Sequence, residues 1–556
     1  MSKLTPQQGQ AALQEAVALH QQGQLGAAEK GYARVLKSFP DQFDALHLLG
    51  LLKLQSGKAG EAQRLITAAL RIAPSAPDAH ANMGLVLGAL KRPADALASF
   101  DKALELDPDH LEAQANRANV LLDLGRSEEA LSVLDRVLAR ASQHLPSRVN
   151  RANALMALQR VDEAIAEYDA ALALNPRDLK ALFNRANALF RGGRYQESLL
   201  GFDRLLALVP QHVEALSSRG LALQALGRHQ DALEGYAKAI SLQKDYVDAH
   251  HNEALALLTV GDYARGFAEY EWRWKRVGVA RRNFGKPLWL GEYPLQRKTI
   301  LLHAEQGLGD TIQFARYAPL LARGGAKVVL EVQSELKELL SGLEAVTVVA
   351  RGEKLPAYDV HCPLGSLPLA FKTTPDSVPA PIPYLRANPA RIAKWRPRLE
   401  VLPPGLRVAL AWAGNPAHIN DRNRSIALAR LQPLLSSAGM SFISVQRDVP
   451  KRDRAALAER KLIHLGEELK DFGDTAAVLA LCDRVITVDT SVAHLAAAMR
   501  RDTWVLVPFW PDWRWTLSEL ASPWYPDARL FRQGADGDWD AVIARVREEN
   551  AKLFVG

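Results

Sequence analysis

A period of 34 residues runs through the first half of this sequence. The tetrapeptide NRAN stands at 116–119, 150–153 and 184–187, and prolines recur in the same register from Pro40 to Pro210. A small residue precedes each register position by twelve residues and a bulky one by eight, as Ala28 and Tyr32 precede Pro40. Small residues let two antiparallel helices approach, the bulky residue fills the space beside them, and proline ends the second helix. The period therefore predicts a solenoid of stacked helix pairs.

This pattern resembles the tetratricopeptide repeat (TPR). Seven full repeats fit residues 9–246, and a degenerate eighth extends to about residue 280. The resemblance implies an N-terminal TPR α-solenoid over residues 9–280, in which the first helix of each repeat lines a concave face.

Asparagines recur at fixed positions of that first helix. They are Asn82, Asn116, Asn150, Asn184 and Asn252, with Asn119, Asn153 and Asn187 three residues after three of them. Asparagine is a poor helix former, so its repetition needs another reason. An amide can donate and accept at once, which suits the main chain of an extended peptide. The alternative is an internal ladder of hydrogen bonds between repeats; we favour peptide binding.

The position of these asparagines resembles the superhelix of the O-linked N-acetylglucosamine transferase family. That resemblance implies that the eight residues hold an acceptor polypeptide. Arginines stand where the repeat usually has an apolar residue, which favours an acidic polypeptide; they are Arg117, Arg151, Arg185 and Arg219.

The second half of the sequence alternates short β-branched runs with helical patterns. The runs are TILLHAE (299–305), KVVLEVQ (327–333), VTVVAR (346–351), RVALAWAG (407–414), SFISVQR (441–447), RVITVDT (484–490) and TWVLVPF (503–509). This alternation predicts parallel sheets, and a proline-rich interval at 375–389 divides them into two units. We expect a linker at 281–297, a first Rossmann-type α/β unit at 298–390 and a second at 391–556, ending in an amphipathic helix at 538–554.

Three polar or glycine-rich segments follow predicted strands, where ligands of such folds bind. In EQGLGDTIQFARY (305–317), Gly307 and Gly309 permit a tight turn. Asp310 is either the cap of the next helix or a general base.

The second segment is WAGNPAHINDRNRSIAL (412–428). Its polar side chains include Asn415, His418, Arg422 and Arg424, which form either a solvated loop or a phosphate site.

The third segment is VDTSVAHLAAAM (488–499). The amides of Thr490 and Ser491 begin a helix and can receive a phosphate, with Asp489 and His494 beside them. A lone histidine on a helix is more often structural.

Together these segments resemble the heptosyltransferase-like branch of the GT-B glycosyltransferases over residues 298–556. The resemblance implies a GT-B pair of Rossmann-type units with Asp310 as the base that accepts the acceptor's proton. It also implies a donor site that includes Arg424, Asp489, Thr490 and His494. Gln446 or Arg447, at the end of SFISVQR, is a candidate nucleobase or ribose contact. The remaining donor-site candidates are Gly307, Gly309, Asn415, His418, Arg422 and Ser491.

Composition restricts the partners. The 69 basic and 62 acidic residues give a net charge of +7, a mild excess over 556 residues that favours an acidic ligand such as a nucleotide. The densest basic run, RWKRVGVARR (273–282), lacks the interleaved aromatic platform of single-strand binders, so nucleic acid is not expected.

The sequence has no apolar run long enough to span a bilayer, no secretory pattern at its start and two isolated cysteines, so we expect a cytoplasmic protein.

These observations favour a metal-independent protein O-glycosyltransferase. The repeats would present a Ser or Thr of a polypeptide, and the donor would be a nucleotide-sugar. The architecture resembles that of bacterial flagellin glycosyltransferases, and this resemblance implies flagellin as the first acceptor to consider and a CMP-activated nonulosonic acid as a possible donor. The nucleotide-sugar is a co-substrate, and no other cofactor or metal is expected, because no Asp-x-Asp cluster stands where it would serve. The alternatives are transfer to a cell-envelope glycan and a non-catalytic TPR scaffold. The oligomeric state stays open.

Overall fold

A computed structural model describes residues 4–278, 282–379, 382–418, 420–459, 462–518 and 521–552. The predicted end of the repeats and start of the linker, at 280 and 281, lie outside these residues, as do the last two residues of the predicted C-terminal helix. The chain forms two compact units, Met1–Pro210 and Gln211–Gly556. The other predicted domain boundaries remain predictions.

The first unit contains six antiparallel helix pairs. Their helices are α1 (Pro6–Gln21), α2 (Leu25–Ser38), α3 (Phe43–Gln55), α4 (Ala59–Ile72), α5 (Pro77–Ala89), α6 (Pro93–Leu106), α7 (Leu111–Asp123), α8 (Ser127–Arg140), α9 (Leu145–Ala157), α10 (Val161–Leu174), α11 (Leu179–Arg191) and α12 (Tyr195–Leu208).

The small and bulky positions of the period form the core of this unit. Ala96 and Phe100 are almost completely buried on α6, and a Cβ on Gly84 of α5 would lie 2.7 Å from the Phe100 ring. Burying one such large apolar side chain contributes about 1.5–3 kcal/mol. The period therefore specifies both the close approach and the filling of the space between paired helices.

The second unit begins with two further helix pairs and continues into two parallel sheets. Its helices are α13 (Val213–Ala225), α14 (His229–Leu242), α15 (Val247–Val260), α16 (Tyr263–Tyr270), α17 (Leu308–Phe314), α18 (Ala318–Arg323), α19 (Lys337–Leu340), α20 (Leu367–Ala370), α21 (Pro389–Glu400), α22 (Asp421–Arg424), α23 (Gln432–Leu435), α24 (Arg454–Ala458), α25 (Phe472–Ala480), α26 (Ser491–Ala498) and α27 (Trp539–Ala551). Its strands are β1 (Thr299–His303), β2 (Lys327–Val332), β3 (Val346–Ala350), β4 (Val360–Pro363), β5 (Leu406–Ala411), β6 (Met440–Ser444), β7 (Ile463–His464), β8 (Arg484–Val488), β9 (Asp502–Val507) and β10 (Arg529–Arg532).

Both sheets have the same order of strands around their first strand. The first sheet is β3-β2-β1-β4 and the second is β10-β9-β8-β5-β6-β7. In each, the chain leaves the first strand in one direction and later returns to its other side, which creates a topological switch point between β1 and β4 and another between β5 and β8. Ligands of open parallel sheets bind beyond the carboxyl ends of the strands at such points.

The last repeat packs against the aromatic segment that follows β9. The Trp524 indole donates to the Tyr263 hydroxyl of α16 at 2.9 Å, and the Trp513 ring meets the Phe267 ring edge to face at 5.7 Å. Both tryptophans are almost completely buried, so they belong to the core of this unit. The predicted fold class, a TPR solenoid followed by parallel α/β units, is confirmed.

Candidate functional site

The loops after β5 and β8 meet at the switch point of the second sheet. The Arg424 Nη1 donates to the carbonyl oxygen of Asp489 at 3.1 Å and lies 3.9 Å from its carboxylate. A Cβ on Gly414 would stand 2.5 Å from the Arg424 Nη2, so the guanidinium can lie against the loop only because residue 414 is glycine. The fold thus brings together a cation and a carboxylate that are 65 positions apart in sequence.

Asp489 is buried beside a second carboxylate, that of Asp512. Burial and the charge of Asp512 raise the pKa of Asp489 to about 6, against the opposing effect of Arg424. Burial acts the same way on Asp512, but its ion pair with Arg514 outweighs it and holds the pKa of Asp512 below its usual value. The site therefore holds two carboxylates, of which Asp512 has a close ion pair with Arg514 and Asp489 a longer one with Arg424.

Helix α26 starts directly after Asp489 and faces the glycine turn of the first sheet. The Thr490 hydroxyl caps this helix by accepting from the amide of Val492 at 3.2 Å. A Cβ on Gly309 would stand 2.8 Å from the His494 Cδ2 and 3.5 Å from the Ser491 Cα. The segments that carry Asp310 and His494 are therefore in direct contact.

Both carboxylate oxygens of Asp310 have partners. One accepts from the amide of Gly307 at 3.0 Å, in the manner of a helix cap, and the other forms an ion pair with Arg514. Arg514 in turn binds both oxygens of Asp512 and lies 4.3 Å from the centre of the Trp513 ring. Asp310 is therefore not the N-cap that the sequence allowed, because α17 begins earlier with Gly307 as its N-cap; Asp310 lies in the first turn and its side chain reaches back to that residue. A role as a base requires Asp310 to exchange Arg514 for the acceptor.

His494 is buried between aromatic side chains. Its Nδ1 lies 3.1 Å from the Tyr525 hydroxyl, and its ring stacks on that of Trp515 at 5.5 Å between centroids. Burial, with the charge of Arg514, lowers the pKa of His494 to about 3. The imidazole is therefore uncharged at neutral pH and can act only through hydrogen bonding and packing.

The other candidates in the loop after β5 stand at its surface. Asn415 accepts from the amide of Ala417 at 2.9 Å, and the His418 Nδ1 accepts from the amide of Asn420 at 3.2 Å, so both stabilise local turns. Together with Arg422 they are exposed. They are accessible to a ligand, but none is held in place by core packing.

Gln446 is buried and fully engaged. Its Oε1 accepts from the amides of Trp412 and Ala413, both at 3.0 Å, and its Nε2 donates to the carbonyls of Ala413 and Asp448 at 3.0 and 3.1 Å. Four bonds exhaust the capacity of a primary amide. This favours a role in fixing the loop over a nucleobase contact, which leaves the exposed Arg447 as the better placed of the two.

The repeated asparagines donate to the preceding repeat. Asn150 donates to the carbonyl of Ala115 at 3.3 Å and Asn184 to the Oδ1 of Asn153 at 3.0 Å. The Nδ2 of Asn82 lies 2.7 Å from the Nε2 of His47, and in the second unit Asn252 donates to the hydroxyl of Ser217 at 3.2 Å. This is the ladder that the alternative interpretation describes, and it leaves the amide oxygens of these four side chains as the groups with which a peptide could pair.

The asparagines three residues later differ from one another. Asn187 donates to the carbonyl of Phe183 within its own helix at 3.1 Å, and Asn153 accepts from the Tyr168 hydroxyl at 2.5 Å. Asn119 is exposed and Asn116 is half-buried. Asn119 is thus the most accessible of the predicted peptide ligands.

The arginines of the NRAN motifs form ion pairs with the second helix of the preceding repeat. Arg117 bonds Asp101, Arg151 bonds Asp135 and Arg185 bonds Asp169, each at 2.5–2.6 Å and each across 16 positions. A side chain already paired with a carboxylate is a weaker attractor of an acidic polypeptide than the sequence suggested.

Sequence reasoning missed a buried cluster at the switch point of the first sheet. Glu305, two residues beyond β1, accepts from the Arg273 Nε and Nη2 at 3.1 and 2.8 Å, and Arg273 also donates to the Ser366 hydroxyl at 2.7 Å. Among the residues that the structure describes, the second oxygen of Glu305 is buried without a hydrogen-bond partner, and burial raises the pKa of Glu305 to about 7. The only sequence signal was an acidic residue directly after a buried strand.

Arg514 was missed as well, because its segment gave mainly an aromatic signal.

Comparison with known proteins identifies the class of the helical region. The tetratricopeptide repeat family TPR_16 matches residues 13–77, 47–109, 149–213 and 201–246, and TPR_19 matches residues 87–154. The N-terminal helices are therefore tetratricopeptide repeats. Within the described ranges, every helix is too short or too polar to cross a membrane.

Among individual proteins, the chain is similar to Protein FlbA of Caulobacter vibrioides. The two are 26% identical over 316 residues, which is 51% of this chain and 52% of FlbA, so the chain spans about half the length of that relative. Among solved structures, a TPR protein of Parabacteroides merdae is 19% identical with a TM-score of 0.39, and covers 45% of this chain and 98% of its own. A thermophilic TPR protein of Thermus thermophilus is 27% identical with a TM-score of 0.31, and covers 33% of this chain and 100% of its own.

Proposed function

We propose that this protein is a GT-B-type glycosyltransferase that moves a sugar from a nucleotide-activated donor to a Ser or Thr hydroxyl of a polypeptide held by its repeats. The observation that carries the proposal is the meeting of Arg424, Asp489 and the start of α26 at the switch point of the second sheet, with the glycine turn of the first sheet against it. Ligands of open parallel sheets bind at this place, and a cation beside a helix N-terminus suits a phosphate.

In the proposed reaction the acceptor hydroxyl oxygen attacks the anomeric carbon of the donor. The bond between that carbon and the phosphate oxygen breaks, and the nucleotide leaves with the bonding electron pair. Asp310 accepts the hydroxyl proton once the acceptor displaces Arg514 from it. Arg424 and the amides of Thr490 and Ser491 stabilise the charge that develops on the leaving phosphate.

The repeats supply the acceptor in this proposal. TPR arrays present extended concave faces to other proteins, and an asparagine amide oxygen is an acceptor of the kind that the amide hydrogens of a peptide main chain require. Flagellin is the first acceptor to test, and a CMP-activated nonulosonic acid the first donor, because bacterial flagellin glycosyltransferases have the architecture that this sequence resembles.

The test of catalysis is the intact mass of flagellin and other candidate acceptors from cells with the wild type, Asp310→Asn, or no copy of the protein. A sugar-sized mass that requires the wild-type chain and disappears in Asp310→Asn supports the proposal. The matched control is Asp376→Asn, an exposed aspartate outside the site. An identical acceptor mass in the wild type and the deletion refutes protein glycosylation for the acceptors measured.

A non-catalytic scaffold is the second candidate, and the pairing of both Asp310 oxygens favours it. The two candidates differ in their need for a donor. Calorimetric titration with CMP, UDP and ADP separates them: a glycosyltransferase binds one nucleotide, and Arg424→Gln weakens that binding whereas Arg430→Gln, an exposed arginine in the same unit, does not. A wild-type chain that binds no nucleotide supports the scaffold.

A further inference from the structure

The last repeat has a cluster of three side chains that can each offer a ligand atom to a metal ion. His250 and Glu253 lie one turn apart on α15, and Glu269 faces them from α16. One ligand atom from each lies within 4.8 Å of the other two. Residues three apart share a helix face, so this His-x-x-Glu pair and the facing glutamate converge on one point.

The hydrogen bonds of His250 direct its Nδ1 toward Glu269. Its Nε2 lies 3.0 Å from the carbonyl oxygen of Lys244, which can only accept, so Nε2 carries the proton. Its Nδ1 lies 2.6 Å from a Glu269 carboxylate oxygen, which also accepts. A separation of 2.6 Å is that of a hydrogen bond, with one proton between the two atoms. A metal ion bonded to both atoms at about 2.0–2.2 Å replaces that proton and lies to one side of the line that joins them. A backbone carbonyl that fixes the far nitrogen is the usual partner of a metal-binding histidine.

Glu253 supplies a second, independent observation. It is 7% exposed and makes no hydrogen bond among the described residues. Its nearest cation, the mostly exposed Arg265, is 3.7 Å away, beyond hydrogen-bond distance. A buried carboxylate that faces another carboxylate is costly unless a cation is shared between them.

We propose that His250 Nδ1, Glu253 and Glu269 bind a divalent transition-metal ion. One imidazole and two carboxylates suit Zn²⁺, Mn²⁺ or Fe²⁺, with water completing the coordination. The ion joins α15 to α16 just before the short 3-10 helix Glu271–Lys275. That short helix contains Trp272, which stacks on the His250 ring at 3.7 Å, and Arg273, which reaches Glu305. The metal therefore fixes the end of the repeat array, and the site is independent of the proposed glycosyl transfer.

The experiment titrates Zn²⁺, Mn²⁺ and Fe²⁺ separately into tag-free, chelator-stripped full-length protein in a calorimeter. We expect one equivalent of at least one of these ions to bind. In Glu253→Gln that binding weakens roughly 100-fold or more, since loss of even an outer partner of a metal ligand costs about 10- to 100-fold. Asp248→Asn, an exposed carboxylate one turn earlier on α15, leaves it unchanged. Absence of binding by all three ions, or equal binding by Glu253→Gln, overturns the proposal.

A second measurement needs no variant. Co²⁺ replaces Zn²⁺ in such sites, and X-ray absorption of the Co²⁺-loaded wild type reports the ligand atoms. One imidazole nitrogen among oxygen ligands supports the assignment, and a first shell without imidazole overturns it, even if the variants fail to fold.

Discussion

Asp489 has a folded-state pKa of about 6, set by burial and by the charge of Asp512. An unfolded aspartate titrates near pH 4, so the folded protein holds this proton more tightly than the unfolded chain does. Between about pH 4 and pH 6 the stability contributed by this group therefore falls as pH rises, and above pH 6 the full cost of the buried charge is present.

Asp489→Asn removes that charge and should raise the melting temperature at pH 8 by about 3 °C or more. The gain should shrink at pH 4, where wild-type Asp489 is mostly protonated. Thermal unfolding followed by circular dichroism at both pH values measures it. A loss of stability of the same size at both pH values would contradict the expectation. If the donor site is at this residue, the stabilised variant should also lose nucleotide binding.

At the scale of residues, the sequence indicated which residues could form a site but not which groups they contact. Arg424 and Asp489 were both selected from local patterns, and they do meet. The ion pair that Arg514 forms with Asp310 could not be predicted, because the two residues are 204 positions apart in the sequence. The full engagement of Gln446 depends likewise on backbone groups of another strand end.

At the scale of elements, the contact between α17 and α26 depends on the absence of a side chain at residue 309. Gly309→Ala should separate the two helices, because its Cβ would stand 2.8 Å from a buried His494 that cannot retreat past Trp515. We expect a destabilisation of about 1–3 kcal/mol, typical of overpacking, and weaker nucleotide binding. Denaturant titration and calorimetry measure the two effects. Gly342→Ala, where a Cβ would have ordinary contacts, is the control.

The turns between paired helices give a second prediction. The turn residue has a positive φ at Gly57 and Gly125, and Lys91 has φ +59° at the equivalent position between them. A residue other than glycine at this positive φ is strained by about 1–2 kcal/mol. Glycine avoids that strain but loses more conformational entropy on folding, which reduces the gain by about 0.5–1 kcal/mol. Lys91→Gly should therefore stabilise the α5–α6 turn by about 0.5–1 kcal/mol.

Native-state hydrogen exchange at the amides of this turn measures the gain. Gly125→Ala, the reverse change at the equivalent turn of the next repeat, should speed exchange there. Faster exchange in Lys91→Gly would show that the lysine stabilises the turn through contacts of its own.

Helices and strands were predicted correctly from the sequence where the apolar pattern was long or repeated. Seven of the ten strands followed from β-branched runs, while β4, β7 and β10 were missed. All three are edge strands of two to four residues. A strand of that length makes too few apolar contacts to impose a pattern, and its pairing is decided by the neighbouring strand and not by its own sequence.

At the scale of the whole molecule, Arg273 joins the last repeat to the first sheet. Its guanidinium is buried between Glu271 and Glu305. Arg273→Gln leaves two carboxylates without their shared cation, and breaking such a buried pair costs about 3–5 kcal/mol.

We therefore expect Arg273→Gln to lower the melting temperature of the second unit and to speed proteolysis between α16 and β1. Arg276→Gln, an exposed arginine three residues later, should change neither. Unchanged proteolysis in Arg273→Gln would show that aromatic packing on α16 suffices to hold this junction.

The burial of Arg273 also bears on how such a chain can evolve. The last two helix pairs share a compact unit with the sheets, and their surfaces are committed to particular partners such as Trp524 and Glu305. The six pairs before them repeat one pattern of 34 residues. Duplication or loss of whole repeats should therefore be tolerated upstream of residue 211, where the array can lengthen or shorten to suit a new partner. Downstream of it the number of repeats is fixed by the domain that follows.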